Sequence, residues 1–304
     1  VTAAPPADGE ASALAEQYGL QPLGGRPKLG EYLAELWQRR HFALELARSR
    51  FKAENEADRL GAAWIVLRPL INAAVYGLVF GVILLGSSRP QDYLPFLVSG
   101  VFLFQFWAGC LTDGARAVVN NMGLVTTLHF PRAVLPIAVI YQQVLGLLWM
   151  VVALLGIVVL NGDLPRLSWP LLIPVLVLMS LFNLGMAFVA ARMTIHLRDI
   201  AQLIPFISRM FFYLSGIFVS LAKLAGVDKT GHIKHLTAYY IMEANPLYVF
   251  ITLARVALLG PREDIVGHVY SATRMWGYGI AWGVGLLVVG FLFFWRAEDE
   301  YGRE

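Results

Sequence analysis

The sequence predicts an all-α polytopic membrane protein with six transmembrane helices, preceded by an amphipathic interface helix. Three observations lead there. The 304 residues are 58% hydrophobic and only 15% charged, with a mean hydropathy of +0.61. Soluble domains carry charge at about a quarter of their positions, so polar surface is too scarce here to coat one globule. The apolar residues also gather in long runs. Tyr93 to Leu111, Ala133 to Leu160, Leu167 to Ala191 and Met275 to Trp295 hold no charged residue, and a helix needs about 20 apolar residues to cross a bilayer. Finally, the arginines concentrate on alternate loops. Aromatic residues at 12% and 28 glycines argue against a disordered chain. The single Cys110 offers neither an internal disulfide nor a metal cluster.

Residues 1–28, rich in Ala, Pro and Gly, read as a flexible cytoplasmic tail rather than a secretory leader. Residues 29–60 form the amphipathic segment. Leu29, Tyr32, Leu33, Leu36 and Trp37 share one helical face and the arginines lie elsewhere, which suits a helix lying in the membrane surface or one packed on protein. The membrane domain occupies residues 61–296, with spans at about 64–86, 93–111, 133–160, 167–191, 200–222 and 275–295. Residues 297–304 form a second tail. The third span is long enough to tilt, and the fifth is interrupted only by Arg209. Trp64, Trp107, Trp169, Trp276 and Trp295 fall near span ends, where amphipathic rings prefer the interface. Arg39, Arg40, Arg48, Arg50, Lys52, Arg59 and Arg68 precede the first span, and Arg116, Arg132, Arg192 and Arg198 lie on the loops of the same side. The positive-inside rule then puts both termini in the cytoplasm of a multi-pass plasma-membrane protein. Ile241 to Leu259 is apolar but holds Glu243, Pro246 and Arg255, and so suits a protein-covered or interfacial segment better than a seventh span.

The chemistry of the chain is defined mostly by absences. No Gly-x-x-x-x-Gly-Lys-Ser/Thr phosphate loop occurs, so ATP is not bound here in the usual way. Leu214-Ser215-Gly216-Ile217 shares letters with an ATPase signature but lies in an apolar span. His232 and His235 have ligand spacing, yet as a lone pair in a polar loop they read as solvent-exposed, and no metal site is expected. The spans carry no internal Asp or Glu, which disfavours proton- or sodium-coupled transport. Asp113, Asp199, Glu243, Asp264 and His268 are too scattered in sequence for a membrane-embedded enzyme of envelope synthesis. Arg209 either meets an anionic group in a water-filled path or snorkels to the surface. Tyr76 and Phe80 share a face of span one, Phe102 and Phe106 lie in span two, and Phe211 and Phe212 in span five. Such rings either stack on sugar faces or pack helices. Gly77-x-x-x-Gly81 and Gly279-x-x-x-Gly283 permit close helix contacts.

Several strings carry a family resemblance. Leu60-Gly61-Ala62-Ala63-Trp64 through Arg68-Pro69-Leu70 and Val75-Tyr76-Gly77-Leu78-Val79-Phe80, then Asn121-Met122-Gly123-Leu124-Val125 and Phe130-Pro131-Arg132-Ala133 come first. Arg198-Asp199-Ile200, Ser215-Gly216-Ile217-Phe218, Asn245-Pro246-Leu247 and Arg255 follow. In this order they resemble the ABC-2 type transporter permeases, and within them the Wzm-like polysaccharide exporters of O-antigen, teichoic acid and mycobacterial galactan. The 19 Arg against 5 Lys favour the actinobacterial galactan exporter. One departure is the acidic stretch Glu54 to Asp58, which separates the basic Arg48 to Lys52 from Leu60-Gly61.

The resemblance implies a permease that is not itself an enzyme. It would pair with a second copy of itself and with two copies of a separate ATP-binding cassette subunit, which binds ATP and Mg. Asn120, Asn121, Met122, Gly123, Leu124 and Val125 would dock on that subunit as a coupling helix. Spans one, two and five would line a channel, with Tyr76, Phe80, Phe102, Phe106, Arg209, Phe211 and Phe212 as candidate wall residues. Re-entrant helices between spans five and six, over about Thr237 to Leu259, would cap the outer mouth with a break at Gly260-Pro261. The partners would be the lipid-linked polysaccharide and membrane lipids, with no nucleic acid. An exporter of small amphiphiles or drugs is the alternative.

Overall fold

Backbone polar groups that enter hydrocarbon must be satisfied within the chain, and helices do this locally. In the computed structural model the regular structure is helical, with no strand among the described residues. These are residues 28–56, 61, 63–84, 92–128, 130–197, 199–218, 236–262 and 270–298. The first tail up to residue 27, Arg198, positions 219–222 of the fifth span, His232 and His235, Asp264 and His268 lie outside them.

The amphipathic segment is two helices, α1 (Leu29–Gln38) and α2 (Arg40–Glu56). The first span is α3 (Ala63–Tyr76), continued by a π-helical stretch, Gly77–Leu84. Next come α4 (Tyr93–Ala115), a 3₁₀ turn (Val119–Asn121) running into α5 (Met122–Thr127), and α6 (Val134–Leu160). The chain continues with α7 (Leu172–His196, after a 3₁₀ turn at Trp169–Leu171), α8 (Ile200–Leu214), α9 (Leu236–Glu243), α10 (Pro246–Leu259) and α11 (Ala272–Trp295).

Among the described residues five helices are long and apolar enough to cross a membrane. Of the fifth expected span, residues 200–222, the described residues are helical over the 15 of α8, roughly 22 Å at 1.5 Å per residue. It ends because Gly216 turns the chain with φ 65°, a left-handed conformation open to glycine. The break expected at Gly260-Pro261 also moves. The two short helices separate at Ala244-Asn245, where the Asn245 side chain caps α10 by accepting from Leu247 N–H at 3.0 Å. Gly260, with φ 88°, terminates α10 instead. Nearly every residue of α10 is buried, in keeping with a protein-covered segment. The tail expected at 297–304 begins inside the fold, since Ala297 and Glu298 are buried.

Helix α4 is the axis of the bundle: 78% of its apolar window is buried, against 11% for the first span. The glycine motif of α11 is split between two partners: a Cβ on Gly279 would stand 3.3 Å from Leu253 on α10, and one on Gly283 would stand 2.9 Å from the carbonyl oxygen of Leu178 on α7. Only a missing side chain permits backbones that close.

Arg255 on α10 is 2% exposed. Its guanidinium Nε and Nη2 donate to Phe96 O at 3.1 and 2.9 Å, Nη1 to Gly216 O at 2.8 Å, and Nη2 also to Ile217 O at 2.9 Å. The group lies 3.4 Å from the centroid of the Phe96 ring. One side chain thus joins the start of α4, the end of α8 and α10. A Cβ at Gly100 would come within 2.7 Å of its Nη2.

At one end of the bundle Arg262 bridges Asp92 and Asp163 (2.8 Å to the latter). At the other, the Glu298 carboxylate accepts from Tyr32 O–H at 2.8 Å and from Arg132 N–H at 2.9 Å, which pins α1 and the Phe-Pro-Arg-Ala string to the end of α11.

Arg255→Leu would leave the Gly216 and Ile217 carbonyls without these donors, at about 1–3 kcal/mol for each buried group unsatisfied, while Phe96 O keeps the Ser99 hydroxyl at 2.9 Å. The variant's thermal unfolding in detergent should fall clearly below that of the native chain. Gly100→Ala should shift it the same way, and the double variant should be less than additive, because the added methyl collides with a group that is then gone. Strict additivity would refute the contact.

Candidate functional site

Two cavities run end to end along α4. The upper, about 210 Å³, lies between α3, α4 and α8 and is lined by Asn72, Tyr76, Val101, Phe104, Gln105, Ser208, Arg209, Phe212 and Tyr213. The lower, about 280 Å³, lies between α2, α3, α4 and α6; its polar lining is Glu54, Asn55, Arg68, Gln105, Asp113, Gln142 and Gln143, with Trp64 beside them. Gln105 lines both. It is an exposed residue in an otherwise buried stretch of α4, because it sits on the one face of that helix that α3 and α8 leave open.

The structure brings together spans one, two and five around the upper cavity, and with them three of the candidates, Tyr76, Arg209 and Phe212. Tyr76 and Phe212 have ring centroids 5.0 Å apart, and Phe104 meets Phe212 edge-on at 4.8 Å. Phe80 instead stacks on Phe218 at 4.0 Å, and Phe211 packs against Trp107 at 5.4 Å. Phe102 and Phe106 are fully buried in the core, where they pack helices and face neither cavity. Arg209 is exposed at the rim.

In the lower cavity, Gln143 Nε2 donates to Asp113 Oδ2 at 2.6 Å. Gly109 makes room for this pair, since a Cβ there would stand 2.6 Å from Gln143 Oε1. Asp113, set aside in the sequence as isolated, therefore shares a cavity with Glu54 of α2. The polar residues missed by sequence reasoning are Asn72, Gln105, Ser208, Gln142 and Gln143. Their signal was an amide or hydroxyl inside an apolar run, which hydropathy averages away.

The stretch expected to couple to a partner is a 3₁₀ turn followed by α5. Arg50 of α2 donates to Asn121 Oδ1, and Asn121 Nδ2 donates to Ala117 O at 2.5 Å. Val125 is buried; Met122 and Leu124 pack half-buried against the same core. Asn120, Gly123, Thr126 and Thr127 face outward, and nothing lies within 4 Å of a Cβ built on Gly123. A third hollow, about 700 Å³ between α6 and α7, is lined almost wholly by aliphatic side chains such as Val144, Leu148, Ile173 and Val177, as a lipid-facing surface would be.

Comparison with known proteins matches residues 56–259 to the family described as ABC-2 type transporter. Two relatives are named O-antigen export system permease protein RfbA. One, from Klebsiella pneumoniae, is 24% identical over 167 residues, 55% of this chain and 64% of the relative. The other, from Myxococcus xanthus, is 24% identical over 192 residues, 62% of this chain and 72% of the relative. The chain thus spans less than two thirds of the Klebsiella relative it matches.

If the two cavities take water, single cysteines replacing Asn72, Gln105 and Tyr213 in a Cys110→Ser background should react with a membrane-impermeant thiol reagent in detergent. Cysteines at Phe102 and Phe106 should not. Equal reactivity at all five positions would dismiss the cavity walls drawn above.

Proposed function

Because the chain belongs to the ABC-2 type transporter family, we propose that it is the transmembrane permease subunit of an ATP-driven exporter that carries a lipid-linked polysaccharide out across the plasma membrane. Two copies would work with two copies of an ATP-binding cassette subunit, which binds ATP and Mg and hydrolyses the nucleotide. The observation that carries the reading is the upper cavity, where rings and neutral polar groups of spans one, two and five converge. Flat rings and amides suit a hydrated polymer that must bind and release repeatedly. The O-antigen export permeases among its relatives support the same substrate class. Within that class we favour a cell-wall galactan, on the Arg-rich composition.

In this reading both termini are cytoplasmic, α1 lies in the inner membrane surface and α9 with α10 form the re-entrant cap. Leu29, Leu33 and Trp37 are exposed on α1 while Tyr32 is buried against protein. That leaves an apolar stripe for lipid on one side and an anchor on the other. The turn and α5 would seat on the ATPase through their outward face.

Depletion of the protein should cause a lipid-linked, galactose-rich polymer to accumulate on the cytoplasmic side, read by lipid extraction and sugar analysis. A normal lipid-linked pool with sensitivity to amphiphilic drugs would favour the drug-export alternative. An aromatic contact is worth about 0.5–1.5 kcal/mol, so Tyr76→Leu and Tyr213→Leu should each slow export by about fivefold, and the pair much more. Unchanged export by the pair would remove these rings from the path.

Orientation and coupling are tested together. Leu164, 76% exposed next to the clamped Asp163, should label from outside intact cells when replaced by cysteine, and Gly123→Cys should not. Gly123→Asp adds its side chain to open space, so the protein should fold and its complex should still hydrolyse ATP. Export should be lost if the ATPase seats on this face.

A further inference from the structure

We propose that the lower cavity is a carbohydrate-binding vestibule, which takes sugar units of the substrate before they reach the track between α3, α4 and α8. This rests on the exporter reading above and adds a site outside the three spans expected to line the path, between α2, α3, α4 and α6.

The donor set selects the ligand. Gln105, Gln142 and Gln143 each offer both donors and an acceptor, and Asp113 offers acceptors. Neighbouring hydroxyls on a sugar ring need that mixture. Gln142 is only 7% exposed, lines the cavity, and among the described residues makes no side-chain hydrogen bond. Its amide is open to the cavity rather than sealed in protein, so a sugar hydroxyl entering there would meet free N–H and C=O groups. Trp64 adds a flat apolar surface at the same wall, which suits the C–H face of a sugar.

Charge excludes the other end of a lipid-linked substrate. Two carboxylates, Glu54 and Asp113, face the cavity against one guanidinium, Arg68. A phosphate would meet a net repulsion there, whereas a neutral sugar would not. The volume of about 280 Å³ falls just under the range for drug-sized ligands, roughly 300–1,000 Å³, and suits a short stretch of sugar rather than a lipid. Gln105 opens on both cavities, so a unit leaving the vestibule meets the next site without crossing an apolar barrier.

The test uses the exporter assembled with its ATPase in cells that make their own polymer. The photo-reactive residue p-benzoylphenylalanine replaces Gln142, Glu54, Tyr213 or Trp149, one at a time. Glu54, exposed at the rim, guards against a packing defect at Gln142. Trp149 faces outward from α6 and is the control. Irradiation should convert the Gln142, Glu54 and Tyr213 proteins into a slowly migrating ladder that stains for carbohydrate, with no ladder from Trp149.

Mild acid, which cuts the bond between sugar and pyrophosphate, should leave the carbohydrate on the Gln142 and Glu54 adducts. Carbohydrate lost on that treatment would place the headgroup in the cavity and overturn the proposal. A ladder at Tyr213 but at neither Gln142 nor Glu54 would overturn the vestibule and keep the exporter reading. A ladder from Trp149 equal to that from Gln142 would also overturn it. No carbohydrate at any position would overturn both.

Discussion

The fold depends on a guanidinium buried without a carboxylate. Moving an isolated charge out of water is costly, and among the described residues no acid pairs with Arg255. Its hydrogen bonds go to the carbonyls of Phe96, Gly216 and Ile217. Two of these belong to the turn that ends α8, where carbonyls have no helical partner and carry the negative end of the helix dipole. The Phe96 ring adds a face for the cation. Arg255 thus allows a helix to stop short in an apolar setting, and the unsatisfied end of α8 makes a buried arginine tolerable. Neither would be stable without the other.

The two ends of the bundle are locked differently, and the difference bears on function. At the end with Arg262, charged side chains join loop to loop: Asp92 before α4 and Asp163 after α6 meet one guanidinium at the end of α10. At the other end the lock is a single carboxylate. Glu298 receives a tyrosine hydroxyl from α1 and a backbone N–H from Arg132, while Arg50 ties α2 to the turn before α5. A push on α5 therefore reaches α2, which walls the lower cavity, and α2 is continuous with α1 but for one residue. On the exporter reading, the outer end is braced while the inner end is a linked set of small helices.

Much of this was legible in the sequence because hydrophobic runs set by bilayer thickness are a strong signal. Long apolar helices lie near the bounds expected for spans two, three, four and six, and within Ile241 to Leu259 the part from Leu247 to Leu259 is nearly all buried, as Glu243, Pro246 and Arg255 suggest. The fifth span was read too long because Ser215-Gly216-Ile217-Phe218 is as apolar as a helix. Gly216 turns the chain there with positive φ, and Arg255 takes up the freed carbonyls, a tertiary contact that hydropathy does not register. The break at Ala244-Asn245 was missed because Gly260-Pro261 is the louder local signal, while Asn245 works by capping, a side-chain geometry. In the candidate site, the three helices expected from the resemblance meet around the upper cavity with Tyr76, Arg209 and Phe212, whereas Phe102 and Phe106 lie in the core. Phe102 and Phe106 share α4 with Gln105, yet a run with apolar residues on every side carries no periodicity to tell the inner face from the open one. The glutamine marks that face.

The composition of the cavities limits how the substrate can be held. A neutral hydrogen bond nets about 0.5–1.5 kcal/mol and one to a charged group about 1.5–3 kcal/mol, so a polymer on charged sites would dwell far longer at each step. Among the described residues lining the upper cavity the only charge is Arg209, exposed at the rim, where water weakens its hold. The rest are amides, hydroxyls and rings of similar, low strength. On the exporter reading, movement along this upper track, between sites of nearly equal strength, needs little work per step, and ATP would serve direction more than release there. The wall that bounds these sites is also the least anchored. The first span holds Pro69 inside its helix, widens into a π-helix from Gly77 and buries little of its surface within the chain. Its exposed Ile71, Val75, Leu78 and Ile83 form an apolar surface that a single copy does not cover. On the exporter reading, a second copy packed against α3 would complete the wall of the path.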